Sequence, residues 1–341
     1  MKNTSPVARL CAIAAGITVA ASVALPLAAH AASITLYSAQ HEQVVNQLAK
    51  DFEQQTGIAV NIRSGEGPAL AAQLIAEGGK TPADVYFTEN SPELMLLQEK
   101  GLLAPVQPAT LAAIPARYSS PAGDWVGVTA REDVLAYNTT KVQASQLPPT
   151  IFDLAKPEWK GKVGIAPSDA DFLPLVDAVI ATKGEAATLA WLKGLKTNSQ
   201  IFDDDEGVVA AVNRGAVATG IINNYYWDRL HAEVGDKKTH STVAHFADGD
   251  VGALVNVSGA AVTKTAHNPE GAQKFLAYLV SDRAQKLMAQ DHISFEYPLR
   301  AGIASDPINK PFDQLKPPAL TIEQLGDDSQ AGKLLREAGL L

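Results

Sequence analysis

Two adjacent tyrosines, Tyr225 and Tyr226, stand where a strand-forming run (Ala216 to Ile222) passes through Asn223-Asn224 into WDRLHAEVG, a helical stretch. On a strand, consecutive side chains point to opposite faces. At a strand-to-helix junction the backbone turns, and neighbours about 100° apart converge on one spot. Two phenol oxygens brought together have three uses. They donate hydrogen bonds, they stack on an apolar ligand, or they lose their protons and bind a hard trivalent cation. The ordinary phenol pKa of about 10 is no bar to the third use, because a bound metal of high charge displaces the proton. Against all three stands plain aromatic packing with satisfied hydroxyls, the commonest fate of such a pair.

The elements decide which polar groups can join the tyrosines. ITLYS (Ile34–Ser38) alternates like a strand, and His41 follows it. Apolar residues at Val44, Val45, Leu48 and Phe52 form a helical stripe from Glu42 to Thr56, with Gly57 fit for its C-cap. IAVNIR (Ile58–Arg63) predicts a second strand, Pro68 to Glu77 a helix, and DVYFTE (Asp84–Glu89) a third strand. Ser91-Pro92-Glu93 opens another helix, with Ser91 as N-cap. Strands alternating with helices imply a mostly parallel sheet covered on both faces.

The second half repeats the pattern. KVGIAPSDADF places a strand before a loop at Ser168–Asp171, Glu185 to Lys196 is a helix, and QIFDDDEGVVAAVNRG is a strand, an acidic turn and a helix. LVNVSGAAVTK (Leu254–Lys264) is strand-rich, and Asn268-Pro269-Glu270 starts one long amphipathic helix through Met288. His41, Glu89 and the tyrosine pair thus all lie at C-terminal strand ends, where open α/β sheets form ligand crevices. One neutral imidazole and three potential anions would balance a trivalent cation and leave two octahedral positions for water or an anion. Each residue alone says little: a histidine after a strand is commonly a cap, and Glu89 suits the positive end of the next helix.

Lys2 and Arg9 precede an Ala-rich apolar run from Leu10 to Leu27, and Ala29-His30-Ala31 supplies small residues for cleavage before Ala32. This is the pattern of a secretory signal peptide over residues 1–31. Cys11 departs with it, so the mature chain of about 310 residues has no cysteine and relies on its core. Without Lys2 and Arg9, 26 of the 28 basic residues remain against 37 acidic ones, a formal charge of −11. That disfavours nucleic acid or an anionic membrane surface as a partner.

LYSAQH (Leu36–His41), ADVYFTEN (Ala83–Asn90) and INNYYW (Ile222–Trp227) resemble the periplasmic ferric-ion-binding proteins of ABC iron importers. The resemblance continues through AREDVLAYN around Arg131, WKGKVGIAPSDADFLP and EYPLR. It implies a two-lobed class II periplasmic-binding-protein fold, α/β, with the ligand in the interlobe cleft. One lobe would comprise 32–131 and 256–306, the other 132–255 and 307–341. It implies Fe(3+) ligands at His41, Glu89, Tyr225 and Tyr226, a synergistic anion (carbonate, citrate or phosphate), an inner-membrane ABC permease as partner, a monomer, and no enzymatic activity. For the anion, Ser168, Ala170 and Asn223 match phosphate-holding relatives, and Arg131 matches a cleft position able to hold carbonate. Asn90, Asp169 and Asp205 replace residues those relatives use, and an ionised aspartate repels an anion. Carbonate, citrate or water therefore fits better than phosphate.

A rival reading keeps the fold but binds an organic cation, such as a polyamine or thiamine, in a cage of Tyr37, Tyr225, Tyr226 and Trp227. A metal-dependent hydrolase would need an activated water and a base beside it. GGKT (Gly78–Thr81) lacks the first glycine of a phosphate loop, and DDDEG (Asp203–Gly207) lacks the alternation of a calcium loop. His231, His240 and His245 have no zinc spacing.

Overall fold

The computed structural model describes residues 1, 3, 32–290, 292 and 294–341, so the leader apart from residues 1 and 3, with its cleavage point and Cys11, lies outside the described residues. The strands are β1 (Ser33–Ser38), β2 (Ala59–Ser64), β3 (Val85–Thr88), β4 (Val126–Asn138), β5 (Val163–Ile165), β6 (Ser199–Ile201), β7 (Thr219–Asn223), β8 (Ser241–Ala244), β9 (Val255–Val262) and β10 (Tyr297–Pro298). The helices are α1 (Glu42–Thr56), α2 (Gly67–Glu77), α3 (Ser91–Glu99), α4 (Pro108–Leu111), α5 (Phe172–Lys183), α6 (Glu185–Asn198), α7 (Asp205–Asn213), α8 (Asn224–Val234), α9 (Pro269–Leu279), α10 (Asp282–Gln290), α11 (Ile322–Leu325) and α12 (Ser329–Ala338). Several short 3-10 turns connect them.

The sheet runs β2-β1-β3-β9-β4-β7-β5-β6, with β8 and β10 also paired to β4. Strands joined through helices are parallel, β1 with β2 and β3, and β5 with β6 and β7. The central strands β9 and β4 run antiparallel to each other and to their outer neighbours β3 and β7. The expected mostly parallel order therefore holds for the helix-crossed strands and gives way in the middle. β4 carries both sides: Arg131 pairs with Asn256 of β9, and Asp133 with Asn223 of β7.

Apolar residues gather in three clusters. The first joins β1, β3, β9, α1 and α9, and in it Phe52 meets Phe275 edge-on at 5.0 Å. Burial of each such ring contributes about 1.5–3 kcal/mol. The second packs α5, α6 and α12 against β5 through Leu175, Trp191, Leu192 and Leu335. The third sits between α7 and β7 and includes both Tyr225 and Tyr226. Leu315 and Ile322 pack on the first cluster, whereas Leu325, Leu334 and Leu340 pack on the second.

Two helix boundaries differ from expectation. The long helix through Met288 is two helices, because Ser281 restarts the chain: its Oγ accepts the Ala284 N–H at 3.2 Å. Buried Gln285 then pins the break, donating to the carbonyls of Val128 (2.7 Å) and Leu279 (3.0 Å). At α3 the N-cap is Asn90, extended at φ −120° and ψ 137°, and Ser91 is the first helical residue. The Ser91 hydroxyl donates instead to Asn256 Oδ1 at 3.0 Å.

Candidate metal centre

Four helix N-termini supply the site. His41 is the N-cap of α1, Glu89 sits between β3 and the N-cap of α3, Asp171 is the N-cap of α5, and Tyr225 and Tyr226 lie in the first turn of α8. Helix N-termini carry partial positive charge and favour anions. His41, Glu89, Tyr225 and Tyr226 come together as the sequence predicts. The His41 and Tyr225 ring centroids are 5.2 Å apart, those of His41 and Tyr226 6.5 Å, and those of the two tyrosines 4.2 Å.

His41 Nε2 lies 3.2 Å from Glu89 Oε1, yet it makes no hydrogen bond and is shielded from solvent. The imidazole is pushed down to about 3, first by burial and then by Arg229, so it is neutral with a free ligand nitrogen. The Tyr225 hydroxyl is 3.4 Å from Glu89 Oε2. Burial, then the charge of Asp171, holds both phenols well above their ordinary pKa and raises Glu89 likewise.

Asp171 is the member that sequence reasoning did not single out. Its Oδ2 accepts from the Tyr225 hydroxyl at 2.6 Å and the Tyr226 hydroxyl at 3.2 Å, and its Oδ1 accepts from Asn90 Nδ2 at 3.0 Å. Burial pushes the carboxyl up, but Arg131 and these hydrogen bonds prevail and hold it below the usual carboxylate value. The signal that could have found it is positional: Asp171 follows β5 just as His41 follows β1 and Glu89 follows β3.

The donor atoms of these side chains thus lie 2.6–3.4 Å from one another where they meet. Arg131 lies beneath, fully buried. Its guanidinium donates to the Glu89 carbonyl and pairs with Glu89 Oε2 (3.3 Å), Asp171 Oδ1 (3.5 Å) and Glu296 Oε1 (3.6 Å). The remaining candidate anion residues are also engaged. Ser168 donates its hydroxyl to the Asp203 carbonyl at 3.2 Å, and the Asn223 N–H donates to Asp205 Oδ2 at 3.2 Å. Ala170 lines the adjoining cleft with Ser168.

The cage expected for an organic cation does not assemble. Tyr37 is buried, with its hydroxyl donating to Glu77 at 3.1 Å. Trp227 stacks on His231 at 5.1 Å and donates to Ser241 Oγ at 3.2 Å. His231 instead faces Asp236, and His245 faces Glu132.

Residues 47–313 match the family described as bacterial extracellular solute-binding protein. The Fe(3+)-binding periplasmic protein of Serratia marcescens is 39% identical over 94% of this chain and 96% of its own length. Iron-bound HitA from Pseudomonas aeruginosa is 43% identical, with a TM-score of 0.87 over 90% of this chain and 99% of that one. A Trichodesmium protein (IdiA, FutA) solved with iron and citrate ligands is 34% identical, with a TM-score of 0.79 over 90% and 99% of the two chains. The fold is thus that of periplasmic binding proteins, and its relatives are iron-binding proteins of iron uptake. From the matched span and these likenesses, this chain belongs to the bacterial extracellular solute-binding protein family.

Proposed function

We propose that this protein captures ferric ion in the periplasm through His41, Glu89, Tyr225 and Tyr226, and delivers it to an inner-membrane ABC permease without acting as an enzyme. The observation that carries the reading is the meeting of two buried phenols, the Glu89 carboxyl and an unpartnered imidazole nitrogen at three helix starts. Two phenolates, one carboxylate and a neutral imidazole offset three positive charges. Asp171 accepts from both phenol hydroxyls and pairs with Arg131, and so acts as a charged partner of the ligands. Water or a small anion such as carbonate completes the shell. Secretion follows from the leader, and the charge and the absence, among the described residues, of a helix able to cross a membrane agree with it.

In this reading the molecule is a monomer of two lobes, 32–131 with 256–306 and 132–255 with 307–341. Iron bridges them and favours closure. Phenolate-to-iron charge transfer gives a visible band that no amine or sugar complex produces. Titration of the mature protein with ferric nitrilotriacetate should give a band saturating near one equivalent, weakened or lost in Tyr225→Phe and Tyr226→Phe. A colourless titration would overturn the ferric reading.

A further inference from the structure

A cleft of about 700 Å³ opens onto His41, Glu89 and Tyr226, far more room than one ion needs. It is lined by Glu42, Glu66, Asp203, Asp204 and Glu206, and among the described residues no Lys or Arg lines it. Two helix starts at the cleft carry the chain's own acids: Glu66 holds the N-cap position of α2 without a side-chain cap bond, and Asp204 caps α7 by accepting the Gly207 N–H at 2.7 Å. Backbone amides are consumed in the same way: Asp169 accepts from the N–H groups of Asp171 (3.0 Å) and Asp205 (3.1 Å). Glu93, only 3% exposed, lines the cleft with an Oε2 that has no hydrogen-bond partner. A buried polar atom left without a partner is costly, and the bound water of an entering cation satisfies it. The two guanidiniums at the site do not line the cleft: Arg131 is fully buried and spread over Glu89, Asp171 and Glu296, and Arg229 lies over the Tyr225 ring at 4.8 Å.

We propose that this cleft is a charge filter: it admits ferric ion as a cationic or uncharged aquo-hydroxo species and keeps polyanionic complexes such as ferric citrate out. The proposal rests on the ferric reading and adds the form in which iron enters. Like charges brought together discriminate against the wrong partner, and the summed field of a cleft alters association rates by 10- to 1,000-fold. Bonds from iron to the chelator break outside the cleft as water and hydroxide take their places, and these are displaced as bonds to His41, Glu89, Tyr225 and Tyr226 form inside it. The phenol protons pass to solvent, the chelator leaves with its charge, and iron stays ferric throughout.

The test is stopped-flow loading of the mature protein from ferric citrate made with radiolabelled citrate, beside Glu66→Gln/Asp204→Asn/Glu206→Gln. None of these residues is a ligand, and Asn retains the cap of α7. The wild type should load at a rate inversely proportional to excess citrate and elute without label. The variant, with an unchanged unfolding midpoint, should load from ferric citrate about tenfold faster at low salt. Citrate retained at one per iron in the wild type, or a variant no faster than wild type, would overturn the filter while leaving the ferric site standing. Absence of a visible band from either ferric citrate or ferric nitrilotriacetate would sink the ferric reading and the filter with it.

Discussion

Asp171 binds the phenol pair, Asn90 and Arg131 into one network. Replacing it with Asn removes the charge and keeps the shape. Chelator competition should then show ferric affinity lowered about 10- to 100-fold, the range seen when a partner of metal ligands is lost, with added bicarbonate restoring part of it. Proton release gives a second check. The phenols hold their protons in the apo protein because burial, then Asp171, raises them. Loading at neutral pH should release about two protons per iron into a weakly buffered solution, and lowering the pH should therefore weaken binding. His41, Glu89 and the tyrosines were legible because each ends a readable strand beside a readable helix. Asp171 was not, because SDADF offers two aspartates and no periodicity says which one faces inward.

At the scale of elements, the site depends on how closely α7 lies against β7. Gly220 of β7 has no room for a methyl group: a Cβ would run into Val208 Cγ1 and lie 3.1 Å from Val212 Cγ2. Gly220→Ala should push α7 outward and destabilise the protein by about 1–3 kcal/mol, read as a lower urea midpoint, and should disturb the start of α8 that follows. The least legible element was β4. Its middle reads Thr129-Ala130-Arg131-Glu132-Asp133, a polar run that alone resembles a surface loop, yet every one of these residues is buried. Periodicity reports contact with apolar neighbours, and this run contacts acids, amides and a guanidinium. The break between α9 and α10 was missed for a related reason. The apolar stripe continues across it, and only the Ser281 cap and the Gln285 side chain mark the interruption.

At the scale of the molecule, buried acids set the pH response. Burial raises Asp169 and Asp177 to about 7, and Glu93 and Asp228 to about 8. Their folded values exceed the unfolded ones, so their stabilising contribution is complete below about pH 4 and is lost as pH rises through about 7–8. His41 acts oppositely, since its lowered value removes stability as pH falls below its ordinary 6.5. Four groups outweigh one, and the apo protein should unfold at a lower urea concentration near pH 8 than near pH 5. Asp228→Asn should flatten that slope. The sheet order could not be read from the sequence, because β9 arrives from far along the chain and inserts between β3 and β4. β4 has one further consequence. Its register to β9 at Arg131 and to β7 at Asp133 lies two residues apart on one unbroken strand. On the proposed division into lobes, widening the cleft must bend that ribbon along with the crossings at 255–256 and 306–307, and its travel is limited by how far β4 bends before either ladder lets go.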